Sequence, residues 1–115
     1  LRMSDRTIIK NALKDISGLG SISGTWPTAK SKFPAIVVGL VSRKNTDRRD
    51  DQAYLVESEY YVRIFAYDSD VVDDLFDAVK TRMEAIGWEL TYSFEQNVEG
   101  ALQMICRYSK TSPIV

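Results

Sequence analysis

The sequence predicts an α+β fold, with two helices packed on one face of a largely antiparallel sheet in the order α-β-β-α-β-β. Two observations carry that prediction. Apolar residues recur with helical spacing at 8–16 and 72–86, and strand patterning covers 33–41, 54–67, 88–95 and 102–108. A third bounds it: 115 residues, 44% of them hydrophobic, suit one domain with one core, spanning 1–115.

Ser4 is placed to cap the first helix, with Asp5 in its first turn favourable to the helix dipole. Ile8, Ile9, Ala12, Leu13 and Ile16 form a stripe about 140° wide. Gly18 and Gly20 stop the helix. Residues 17–32, rich in Gly, Ser and Lys, read as an extended surface segment on which Trp26 packs over the domain edge.

Residues 33–41 follow as a strand apolar on both faces, with Pro34 at its start because proline cannot donate to an interior ladder. Residues 42–52 contain no apolar side chain, and 42–53 read as an exposed charged loop. The next strand, 54–67, is long enough that part of it projects beyond the sheet. Val56, Tyr60, Val62, Ile64 and Ala66 line one of its faces, and Tyr61, Arg63, Phe65 and Tyr67 belong to the other.

Asp68, Ser69 and Asp70 offer caps for the second helix, and Asp70 and Asp73 have capping-box spacing. Val72, Leu75, Phe76, Val79, Met83 and Ile86 fall within about 100° of arc. Gly87 stands where a left-handed residue ends a helix. Trp88, Leu90, Tyr92 and Phe94 alternate with polar residues. After a turn at 97–100, so do Leu102, Met104, Cys106 and Tyr108. Phe76, Val79 and Met83 are expected to bury against Leu90, Tyr92, Met104 and Cys106. Residues 111–115 read as a tail.

The chain holds no His and one Cys, which removes a disulfide framework, a His/Cys zinc site and any mechanism with a His base. Cys106 sits on the apolar side of its strand and reads as an inert thiol. Asp70, Asp73, Asp74, Asp77 and Glu84 lie opposite the apolar stripe of the second helix and read as a solvated face that binds no metal. Gly18, Gly20 and Gly24 follow a helix and form no phosphate loop. No enzyme activity and no cofactor is expected. No apolar run approaches the roughly 20 residues that span a bilayer, and no signal-peptide pattern opens the chain, so a cytosolic protein without membrane contact is expected.

Net charge is −1, yet residues 1–53 sum to +5 and residues 54–115 to −6. Such asymmetry suits either an ordinary mixed surface or head-to-tail contact between copies. Two groups stand out as a candidate protein interface. Arg43, Lys44, Arg48 and Arg49 could contact phosphates or a neighbouring protein, although Asp47, Asp50 and Asp51 cancel much of their field. Tyr61, Phe65 and Tyr67 lie exposed unless a partner subunit, the tail or the 17–32 segment covers them.

The first-helix pattern, FPAIVVGL at 33–40, the strand-to-helix passage RIFAYDSDVVDDLFDAV at 63–79 and the closing LQMICRYSK at 102–110 together resemble the tail completion proteins, or tail terminators, of long-tailed bacteriophages. The likeness covers residues 5–109, and its motifs are patterns of fold without catalytic residues. The resemblance implies a virion structural protein, made in the bacterial host cytoplasm and placed at the tail–head junction. It implies a homo-oligomer, a hexameric ring, that caps the head-proximal end of the tail tube and performs head–tail joining. Its partners would be the tail tube protein and the head connector or stopper protein, with DNA passing non-specifically through the channel. The alternative is a small dimeric α+β ligand-binding or regulatory module that uses the exposed sheet face.

Overall fold

Ser4 starts the first helix: its hydroxyl accepts the Thr7 N–H at 3.2 Å, and α1 runs over Asp5–Leu13. A computed structural model of the chain describes residues 4–25, 32–49, 52–98 and 100–113. α1 buries Ile9 and Leu13, and Ile16 joins them from a turn beyond the helix, where its N–H donates to the Leu13 carbonyl. The apolar stripe thus outlasts the helix by one turn.

The second helix, α2, spans Ser69–Ala85. Asp68, rather than Asp70, is its cap, and its carboxylate accepts the Asp70 N–H at 2.8 Å. At the other end Gly87, at φ 89°, allows Trp88 N–H to reach the Met83 carbonyl and Gly87 N–H to reach Glu84. That is the Schellman closure, and it delivers Trp88 to the core, where it is 2% exposed.

Five strands form one sheet in the order β1-β2-β3-β5-β4. They are β1 (Ser21–Ser23), β2 (Ala35–Arg49), β3 (Gln52–Ala66), β4 (Glu89–Val98) and β5 (Ala101–Pro113). All neighbours pair antiparallel except β1, which runs parallel to β2 over three residues. The fold is α+β as predicted, with β1 added inside the segment read as extended surface. Three Ser/Ile residues carry no periodicity, and their pairing depends on β2 and on Pro34, whose carbonyl accepts from Gly20 at 2.7 Å and Ser21 at 3.3 Å. Trp26 lies outside the described residues.

Of the exposed charged loop expected at 42–53, residues 42–49 and 52–53 belong instead to a strand pair, and 50–51 lie outside the described residues. β2 and β3 keep their ladder from Ala35 opposite Phe65 to Arg49 opposite Gln52, with one bulge between Leu40 and Ser42. β5 follows β3 outward until Pro113 stands opposite Leu55, so the expected tail is strand as far as Pro113. The three strands make an arm that lengthens the molecule to 52 × 29 × 24 Å. Polar residues without alternation announce no strand, and backbone pairing with the patterned β3 orders them here. Lys44 and Glu57, opposite each other in register, add an ion pair at 3.6 Å.

Both helices cover one face of the sheet. Ile36, Val38, Tyr60, Val62, Ile64, Cys106 and Tyr108 meet Ile9, Leu13, Leu75, Val79, Met83 and Trp88 in one core, with Phe76, Leu90 and Met104 half-buried at its margin. Arg82 ties the helices together by donating to the Ala12 carbonyl at 3.1 Å and pairing with Asp15.

Tyr92 does not join that core. Leu90 stands opposite Tyr108, but the next pair is Tyr92 with Arg107, so Thr91 is an extra residue in the ladder. One inserted residue reverses every later side chain. Tyr92 and Phe94 therefore belong to the helix-free face, 45% and 44% exposed.

Candidate functional site

β2, β3, β5 and β4 present two aromatic groups on the helix-free face. In the first, Phe33 stacks on Tyr67 with centroids 4.8 Å apart and tilts against Phe65 at 6.3 Å. Phe65 is consequently 3% exposed, covered by its own chain, whereas Tyr67 remains 73% exposed. Tyr61 is half-buried in the same cluster, and the Arg63 guanidinium stands 4.6 Å from its ring centre. In the second group Tyr92 and Phe94 stack at 6.1 Å, and Arg107 lies 5.0 Å from the Tyr92 ring. Arg107 also pairs with Glu59 at 3.6 Å. Unbroken alternation from Trp88 to Phe94 conceals this second group in the sequence, and only the pairing of β4 with β5 reveals it.

Arg43 and Lys44 are held by partners other than these aromatics. Arg43 lies on the helix side of the arm root, donating to the Tyr60 hydroxyl at 3.3 Å and facing Asp5 at 3.7 Å. Lys44 belongs to the other side and is held by Glu57. Arg48 and Arg49 pair through their backbones with Ala53 and Gln52 near the arm's end, and their side chains lie outside the described residues. The arm distributes its positive charge along one strand.

Cys106 and Tyr108 belong to the core. Cys106 is fully buried, and burial pushes its thiol up to about 12. The Tyr108 hydroxyl is raised chiefly by burial, then by Cys106 and Glu84, and has no hydrogen-bond partner among the described residues. Asp70, Asp73, Asp74 and Asp77 are exposed on the outer side of α2. Among the described residues no three His, Cys, Asp or Glu side chains are grouped to hold a metal ion. A shallow depression at the end of α2 is bordered by Glu84, Trp88, Glu89 and Lys110. There the Lys110 ammonium donates to the Ile86 carbonyl at 3.2 Å and lies over Trp88, so it serves the helix end. No helix among the described residues is long and apolar enough to cross a membrane.

The arrangement offers surfaces for protein contact: a helix-free aromatic face, a charged arm and an outer edge strand. No protein-family model matches the chain, and no curated protein is similar to it. Among solved structures the chain is similar to a chain of the virion of a native gene transfer agent particle. The TM-score is 0.61 at 10% identity, over 92% of each chain. At that identity the likeness is one of fold.

Proposed function

We propose that this protein is a non-catalytic virion assembly protein whose copies form a hexameric ring at the tail–head junction. The ring caps the head-proximal end of the tail tube and presents its other side to the head connector. The observation that carries this reading is the shared fold: a chain of a gene transfer agent virion matches it over 92% of both lengths. The sequence resemblance to tail completion proteins, resting on 63–79 and the flanking strands, points the same way. A ring of this kind needs surfaces rather than a reaction centre, and the aromatic face and the arm supply them. Tyr61 and Tyr67, with Arg43 and Lys44, are the described residues assigned to contact here. Arg48 and Arg49 join them by their position at the arm's end.

The mass of the purified chain in solution tests this directly. Six copies of the 13.0-kDa chain weigh about 78 kDa, and that is the expected species. A stable species of about 26 kDa, two copies, would favour a dimeric binding module instead. Labelled antibody against the chain should then mark the junction of head and tail on particles, and labelling elsewhere would overturn the proposed position.

A further inference from the structure

Among the described residues two strand edges of the sheet stand open, and they carry opposite charge. β1 pairs with β2 only at Ala35, Ile36 and Val37, and no other described strand pairs with β2 on that side as far as Arg49. At the opposite end of the sheet, β4 pairs with β5 on one side and with no described strand on the other. An open edge is a row of backbone donors and acceptors ready for another strand. The arm portion of β2 contains Arg43, Lys44, Arg48 and Arg49 against Asp47 alone, a net charge of +3. β4 contains Glu89 and Glu95 with no Lys or Arg, a net charge of −2.

We infer that the β4 edge of one copy pairs with the β2 arm of the next, joining their sheets. The inference deepens the ring reading and rests on it for its occupant, a second copy. Charge selects the pairing: two β2 arms would set +3 against +3, and two β4 edges −2 against −2, whereas the mixed pair sets opposite signs together. Direction agrees as well. β2, β3, β5 and β4 alternate in direction, so copies related by rotation about an axis along the strands bring β4 and the next β2 together antiparallel. Such a contact joins two different surfaces, and its repetition gives a ring where the rotation closes, never a two-fold dimer. Glu89 is level with Ser42 through Ser109 and Glu59, so the arm begins where β4 ends. The inferred pairing therefore includes a stagger between neighbouring copies, of the kind that tilted strands give a closed barrel. Tyr92 and Phe94 then flank the neighbour's arm, which accounts for two large side chains left exposed on an edge strand.

Cross-linking of the full chain tests the pairing. Ser93→Cys on β4 and Thr46→Cys on β2 are introduced together and singly, and treated with a flexible bis-maleimide; Cys106 is buried and does not compete. The double variant should give a covalent ladder up to the full ring, and either single variant at least tenfold less product. Dimers from a single variant would mean that like edges meet, which overturns the inference. A double variant with the ring's mass but no ladder also overturns it, while leaving the ring itself standing. A wild-type mass of one or two copies overturns both. Charge reversal gives a readout independent of the cysteines. Glu89→Lys with Glu95→Lys should weaken assembly at least tenfold with unchanged circular dichroism, and adding Arg48→Glu with Arg49→Glu should restore it. Equal assembly by all these variants overturns the charge selection and the inference with it.

Discussion

Tyr61 lies across Gly39, its partner in the β2–β3 ladder, and its ring occupies the space a Cβ on Gly39 would need. The glycine is required here by close approach: any side chain would displace the ring and the Arg63 guanidinium stacked on it. Gly39→Ala should cost about 1–3 kcal/mol, the usual effect of overpacking. Adding Tyr61→Ala should recover part of that loss, because the clash requires both partners. Chemical denaturation of the two single variants and the double variant measures the coupling, and strictly additive losses would refute it.

Met83 is fully buried at the centre of the helix–sheet core, whereas Phe76 is only half-buried at its margin. Met83→Ala should therefore cost about 2–5 kcal/mol, a large share of the stability of a small domain, and Phe76→Ala less. Thermal unfolding of the two variants checks the order. A greater loss for Phe76→Ala would contradict this placement of α2.

Arg82 holds the Asp15 carboxyl below its usual 3.8, first through the hydrogen bond and then through charge attraction. A depressed carboxyl adds stability above its unfolded pKa, and that increment disappears as pH falls through the lower folded value. The difference in stability between wild type and Arg82→Ala should thus shrink below pH 3.8. Carbon-detected NMR titration of Asp15 should show its midpoint return toward 3.8 in the variant. Both proteins titrating alike would disprove the link.

The buried thiol of Cys106 stays protonated far beyond its ordinary 9.0, up to about 12. In the folded chain it should resist alkylation at pH 8 and react promptly once denatured. Between pH 9 and 12 the unfolded chain loses this proton while the folded chain keeps it, so the thiol's contribution to stability declines as pH rises. Fast alkylation of native protein at pH 8 would show that the site is open.

Much of this fold was legible in residue order. Asp68 and Gly87 bracket α2, and its apolar spacing identified Val72, Leu75, Val79 and Met83 as buried. Alternation in β3 separated Val62 and Ile64 from Tyr61 and Phe65 on the correct faces, and Cys106 was recognisable as a buried core residue. These features are local: caps act within one turn, and periodicity follows from helix and strand geometry.

Tertiary structure decided the arm, the bulge and the cover over Phe65. Residues 42–49 have no apolar pattern, so they become strand only because β3, itself paired with β5 on its other side, runs beside them. The bulge at Thr91 depends on how β4 meets β5, and it sends Tyr92 and Phe94 away from the core that their spacing with Leu90 promised. Phe33 covers Phe65 across 32 residues of chain. Each outcome is set by a partner strand or side chain distant in sequence, and pattern within one segment carries no information about which partner arrives or in what register.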